Sequence, residues 1–124
     1  MSERIGIGII GAGFMGMLHA RALSQLPDAR VIGVSDPAIK ERPKLPGQKE
    51  PLEVFPDHGA LLARKDIQAV VIASPENLHR DAVVDAAKAG KHILLEKPIA
   101  TTLEDADAMI GEAARRKVKL MMAH

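Results

Sequence analysis

The sequence predicts an α/β fold, a doubly wound, mostly parallel sheet of about six strands in a single domain, and three observations lead there. Short, solid apolar runs alternate along the chain with longer stripes of helical period. A glycine-rich turn, Gly11-Ala12-Gly13-Phe14-Met15-Gly16, joins the first run to the first stripe. An acid, Asp36, closes the second run, 20 residues after Gly16.

Taken in order, residues 5–10, 31–34, 69–73, 92–95 and 118–122 are the apolar runs. Runs of that length without polar alternation suit strands covered on both faces. Phe14, Leu18, Ala22 and Leu26 recur every four residues and predict a helix after the glycine turn, with that stripe as its inner face and Pro27-Asp28 as its end. Leu78, Ala82, Val83 and Ala86 predict a second helix, with Gly90 placed for a left-handed cap. Leu103, Ala106, Ile110 and Ala113 predict a third, opened by a capping box of Thr101 and Glu104. The rhythm breaks over residues 37–56, which hold Pro37, Pro43, Pro46, Pro51 and Pro56. Interior prolines remove donors and clash with the preceding turn, so this stretch predicts an irregular connection. A short strand near residues 52–55 and a helix over 57–63 should follow it.

The 124 residues fit one domain, spanning 1–124. Two Phe and no Tyr or Trp leave an aliphatic core and almost no surface on which bases could stack. With net charge +1 and no basic stripe, a nucleic-acid partner is excluded. The densest cationic run, Arg115-Arg116-Lys117, falls at a predicted helix C-terminus, where cations complement the helix dipole. The lack of cysteine excludes disulfides, thiolate metal sites and Cys nucleophiles, and suits a cytoplasmic protein. Residues 1–4 lead straight into the first run without signal-peptide character, and no apolar stretch nears the roughly 20 residues that span a bilayer. No membrane association and no metal are expected, since no His, Asp and Glu group has ligand spacing.

The chemistry lies at the glycine turn. It follows a strand-like run, opens an amphipathic helix and is answered by Asp36, the arrangement of a dinucleotide-binding (Rossmann) fingerprint. Gly11 permits the tight turn, Gly13 lets a pyrophosphate approach the backbone, and Gly16 lets helix and strand pack closely. The helix N-terminus then offers free N–H groups and a positive dipole end to the phosphates. Asp36 should accept hydrogen bonds from the adenosine ribose, and its charge repels a 2′-phosphate, so NAD is favoured. Arg42 and Lys44 nearby keep NADP open. His19 and His92 look structural, and His58 has no partner pattern.

Two further segments narrow the reading. Ala73-Ser74-Pro75-Glu76-Asn77-Leu78-His79 and Ala89-Gly90-Lys91-His92-Ile93-Leu94-Leu95-Glu96-Lys97-Pro98, together with Gly11 to Gly16, resemble the glucose–fructose oxidoreductase / inositol dehydrogenase / rhizopine-catabolism (Gfo/Idh/MocA) family over nearly the whole chain. The resemblance implies that Ser74, Pro75, Asn77 and His79 line the cofactor groove with Phe14 and Met15. It implies that Glu96, Lys97 and Pro98 lie beside the nicotinamide, and that Lys97 contacts the substrate hydroxyl as the catalytic residue. Pro98 restricts the backbone of Lys97 to extended conformations and allows a cis bond.

The family pattern also implies a C-terminal substrate domain, absent from this sequence, that supplies the substrate pocket, a general base and much of a homo-oligomer interface. A sugar or polyol is the expected substrate, and an exposed apolar surface should mark where that domain docks. The chain departs from the family in lacking a regular helix over residues 38–51. Two other readings stay open: a stand-alone dinucleotide-binding sensor without catalysis, and an S-adenosylmethionine-dependent methyltransferase. The second leaves Glu96-Lys97-Pro98 unexplained.

Overall fold

Each apolar run forms a strand, and all strands pair in parallel. In the computed structural model, which describes residues 4–123, the strands are β1 (Ile5–Ile10), β2 (Ala29–Ser35), β3 (Glu53–Phe55), β4 (Ala69–Ile72), β5 (His92–Leu95) and β6 (Leu120–Met122). They form one sheet in the order β3-β2-β1-β4-β5-β6. Chain order reverses between β1 and β4. In an open parallel sheet, ligands bind in the crevice outside the carboxyl ends of the strands at that reversal. The solid runs mark the middle of the sheet: residues 6–10 of β1 and 31–35 of β2 are buried throughout. The edge strands β3 and β6 are three residues long, short enough to limit exposed backbone edges.

Helices cover both faces. The helix α1 (Phe14–Ser24) lies on one, and α2 (His58–Leu62), α3 (His79–Lys88) and α4 (Leu103–Arg116) lie on the other. Successive strand residues point to opposite faces. Ile9 and Val71 therefore pack with Ala20 under α1, while Ile10 and Ile72 pack with Leu61, Val83 and Met109.

Residues 37–52 are irregular, as the prolines require, yet they finish the core on the α1 side. Leu45 and Leu52 are fully buried there, in place of a crossover helix. Backbone groups that such a segment cannot pair in a ladder need other partners. The Gln48 amide supplies two, accepting from the Val31 N–H at 3.1 Å and donating to the Val31 carbonyl at 3.0 Å. Arg42 donates to the carbonyls of Pro51 and Leu52, each at 3.0 Å.

The helices correct four expectations, in α1, in α3 and twice in α4. The α1 stripe faces outward: Phe14 is 79% exposed, Leu18 44% and Leu26 51%. Gly16 and Ala20 face the sheet instead, because α1 approaches the first turn too closely for larger side chains. In α4, Ala106 and Ala113 are buried as expected, but Leu103 and Ile110 are exposed and Met109 and Glu112 take the inner positions. The α4 cap is Thr102, not Thr101. Extended at φ −136°, Thr102 turns its hydroxyl to accept from the Asp105 N–H at 3.0 Å.

Ala82, Val83 and Ala86 form the buried face of α3 as expected, but Leu78 of the same stripe lies in a 3-10 turn before the helix and is half exposed. Gly90 follows α3 at φ +78°. Arg115 and Arg116 lie in the last turn of α4, where both bond Glu112, at 2.9 and 2.8 Å. Among the described residues no helix is long and apolar enough to cross a membrane.

Candidate cofactor and active site

The glycine turn sits at the carboxyl end of β1, at the strand reversal. Gly11 has φ +93°, a conformation that other L residues rarely adopt, and its N–H donates to the Ser35 carbonyl at 2.9 Å. A Cβ on Gly16 would lie 1.9 Å from the Gly11 carbonyl oxygen. The helix therefore rests directly on the turn, with its unpaired first N–H groups and positive dipole end beside the crevice. Gly13 is different. A Cβ there would meet nothing within 4 Å, so the space over the turn is open.

Two cavities flank the turn and share Ser74. The first, of about 490 Å3, is bounded by Gly11, Asp36 and Pro37 on one side and by His58, Pro75 and Asp81 on the other. Asp36 is fixed by the backbone: Oδ2 accepts from the Ala12 N–H and Oδ1 from the Ala38 N–H, both at 2.8 Å. Asp57 and Asp81 line the same space, and Asp57 also caps α2, accepting from the Ala60 N–H at 2.8 Å. His58 gains a partner the sequence did not suggest, Asp85 at 2.8 Å. Arg42 and Lys44, for which a role in 2′-phosphate binding was held open, do not line this cavity. Arg42 is committed to the carbonyls of Pro51 and Leu52 and shares a different cavity with Arg4 and Arg30.

The second cavity lies beyond the turn, between Met15, Ser74, Glu76 and the β5 end at Glu96, Lys97 and Pro98. The Glu96 N–H donates to the Ile72 carbonyl at 2.9 Å, continuing the β4–β5 ladder to the site. Its carboxylate meets His19 Nε2 of α1 at 2.5 Å. Lys97 is exposed, makes no ion pair among the described residues, and is joined to Pro98 by a cis bond.

His79 lies at the first residue of α3 and is 1% exposed. Both ring nitrogens are occupied by backbone carbonyls, Nε2 by Ser74 and Nδ1 by Pro98 and Ile99. It lines the second cavity with its ring already engaged by those carbonyls. Phe14 and Asn77 line neither of the two cavities, and both are exposed. The remaining predicted residues gather at the crevice.

These residues fit a dinucleotide. The Ser74 hydroxyl oxygen is buried, has no partner among the described residues and belongs to the stretch that borders both cavities. An orphaned group of that kind calls for a ligand or a solvent partner. The open space over Gly13, at a helix N-terminus, admits an anion that a side chain would block.

A family model described as an oxidoreductase family with an NAD-binding Rossmann fold matches residues 5–124. The chain belongs to the Gfo/Idh/MocA oxidoreductase family. The 2,7-anhydro-N-acetylneuraminate hydratase of Mediterraneibacter gnavus is 32% identical over 122 residues, covering 98% of this chain and 32% of that protein. The myo-inositol 2-dehydrogenase of Thermotoga maritima is 37% identical over 117 residues, covering 92% of this chain and 34% of that protein. Among solved structures, apo scyllo-inositol dehydrogenase from Lactobacillus casei superposes with a TM-score of 0.82 at 28% identity, covering 98% of this chain and 37% of that one. The chain thus spans about a third of the length of the Gfo/Idh/MocA relatives it matches. The family binds NAD on a Rossmann fold, as the glycine turn and Asp36 predict, and the methyltransferase reading finds no support.

Sequence reasoning missed His19. A signal was available, because His19 follows Gly16 by three residues and so shares the helix face that packs against the turn. Its partner, 77 residues away, left no local trace.

Proposed function

We propose that this chain holds the cofactor for an NAD-dependent enzyme that moves hydride between a secondary alcohol of a sugar or cyclitol and the nicotinamide. The position of Lys97 carries the reading. It is an exposed cation at the carboxyl end of β5, in the cavity that Ser74 connects to the Asp36 end of the groove. NAD, when bound, supplies the hydride acceptor or, once reduced, the donor.

The chain's residues bind and orient around it. The α1 N-terminus and the backbone at Gly13 and Phe14 hold the pyrophosphate. Asp36 accepts from ribose hydroxyls with lone pairs left over from its two backbone bonds. Asp57 and Asp81 add negative charge to the same cavity and disfavour a 2′-phosphate, so NAD is preferred to NADP. The Ser74 hydroxyl gains the partner it lacks. Glu96, braced by His19, fixes the nicotinamide end. The Lys97 ammonium hydrogen-bonds the substrate oxygen and stabilises negative charge as it develops there.

The hydroxyl proton must leave as the hydride does, and we assign the base that takes it, with most substrate contacts and any homo-oligomer interface, to a second domain. The outward stripe of α1 and Met121, 65% exposed, form the surface on which we place that domain. Met121 pairs with Leu94, which packs on the α1 side of the sheet. Relatives named for myo-inositol and inositol dehydrogenation support the substrate class.

Calorimetric titration tests the reading. NADH should bind one per chain, NADPH at least about tenfold more weakly, and S-adenosylmethionine not at all. A folded sample that takes up no NADH, or only the methyl donor, would overturn it.

A further inference from the structure

Cations from four segments line one cavity at the end of the sheet away from the glycine turn. Arg4 leads into β1, Arg30 lies at the start of β2, Arg42 and Lys49 belong to the irregular 37–52 segment, and Arg64 follows α2. A rise of about 3.3 Å per residue sets Arg30 roughly 17 Å from Ser35 at the carboxyl end of β2, so this cavity is separate from the groove. Its volume is about 470 Å3, a size at which small molecules are commonly held.

The wall that carries Arg42 and Lys49 is fixed. Arg42 Nε and Nη2 donate to the Leu52 and Pro51 carbonyls, while Nη1 has no partner among the described residues. The Gln48 amide, next to Lys49, is bonded twice to Val31, which also lines the cavity. The segment that replaces a crossover helix therefore holds its cations against β2.

The acids nearby do not cancel these charges. Glu53 and Asp66 are both bonded by Arg64, and Glu50 is the other carboxylate of the lining. Arg4, Arg30 and Lys49 form no ion pair among the described residues, and the bonds of Arg42 go to neutral carbonyls. Asp36, Asp57 and Asp81 lie instead around the groove at the other end. A cavity of one sign concentrates ligands of the other. Guanidinium forks suit phosphate, and a monoester offers them three terminal oxygens where a carboxylate offers two.

We propose that this cavity is a second ligand site, which takes a small phosphate monoester. The proposal does not rest on the cofactor reading. The cavity is larger than a phosphate group, so the organic part of the ester has room within it.

Backbone amide NMR of the chain, titrated in turn with glucose 6-phosphate, inorganic phosphate, glucose and citrate, tests the site and separates it from the glycine turn residue by residue. Glucose 6-phosphate should give saturable shifts at residues 30–32 and 47–50, weakened by added salt. Inorganic phosphate should bind there more weakly, and glucose not at all. Ester shifts confined to residues 11–16, equal affinity for ester and inorganic phosphate, or tighter binding of citrate would overturn the proposal. None of these outcomes needs a variant.

Arg30 and Lys49 are exposed, so Arg30→Gln combined with Lys49→Gln should leave the fold and NADH affinity unchanged. Ester affinity should fall at least about tenfold. Undiminished ester binding by that folded variant would also overturn the proposal, whereas a failure of NADH to bind the unmodified chain would count only against the cofactor reading.

Discussion

Gly13 and Gly16 stand three residues apart in one motif, and the structure assigns them opposite consequences when a methyl group is added. In Gly16→Ala the new Cβ would lie 1.9 Å from the Gly11 carbonyl oxygen and 3.0 Å from its carbon, so it must retreat by about 1.1 Å to reach even 3.0 Å from that oxygen. Both sides of the collision are backbone, and relief means lifting α1 off β1. Overpacking of this kind costs about 1–3 kcal/mol. The better helix propensity of Ala returns about 1 kcal/mol, leaving a net loss of up to about 2 kcal/mol. For a chain of this size that lowers Tm by up to about 10 °C.

In Gly13→Ala the Cβ meets nothing, and φ −74° suits any residue. Ala is a poorer N-cap by several tenths of a kcal/mol, which the reduced freedom of the unfolded chain offsets by about as much. Stability should therefore be nearly unchanged. NADH affinity should nevertheless fall at least about tenfold, because the methyl group fills the space assigned to the pyrophosphate. Thermal melts and calorimetry on both variants decide the matter. Normal NADH binding by Gly13→Ala would refute the placement of the phosphates over that residue, and a stability loss equal to that of Gly16→Ala would refute the open turn.

Asp36→Ser should destabilise the chain by about 1–3 kcal/mol through loss of its two backbone hydrogen bonds. It should narrow the preference for NADH over NADPH without inverting it, since Asp57 and Asp81 remain, and parallel titrations of the two cofactors check this. Lys91 is buried and donates to the Arg64 and Ile67 carbonyls at 2.8 and 2.6 Å. Lys91→Met keeps the stem but strands those oxygens, and denaturant unfolding at neutral pH should show a loss of about 1–3 kcal/mol. Burial pushes the Lys91 ammonium below the ordinary lysine range, so the folded state sheds its proton first. Its contribution to stability therefore rises with pH on approach to that range, a rise that Lys91→Met should lack. The Glu112 carboxyl is held below its usual range by hydrogen bonding to Arg116, against the opposing effect of burial, with further help from the charges of Arg115, Arg116 and Lys88. Its stabilisation is present above the ordinary carboxylate value and disappears as pH falls through the lowered one. Melts across that window should show Glu112→Gln less stable than the unmodified chain at neutral pH and equal to it in acid.

Much of this architecture could be read from short stretches of chain, and the exceptions share a cause. Strands β1, β2, β4 and β5 were legible because a strand covered on both faces needs an unbroken apolar run. The glycine turn and Asp36 were legible because their spacing follows from one βαβ unit. The inner face of α1 was not, because at close helix–sheet contact Gly16 and Ala20 displace the larger apolar residues that periodicity looks for. The α4 cap slipped by one residue because Thr101 and Thr102 each have an acid three positions on, and only the local backbone chooses between them. Within the site, Lys97 was legible through its motif. His19 on Glu96, His58 on Asp85 and His79 on the Pro98 and Ile99 carbonyls join residues far apart in sequence, and nothing local to either partner records such contacts.

On the proposed function, one groove runs from Asp36 over Gly13 to Lys97 and receives NAD along its length. Backbone amide NMR during NADH titration measures that most directly. Saturable shifts are expected at residues 11–16, at Asp36, at Ser74 and at Glu96 and Lys97, with ADP leaving Glu96 and Lys97 unmoved. Shifts confined to the opposite end of the sheet around Arg4, Arg30 and Arg42, or identical shifts from ADP and NADH at Lys97, would contradict it.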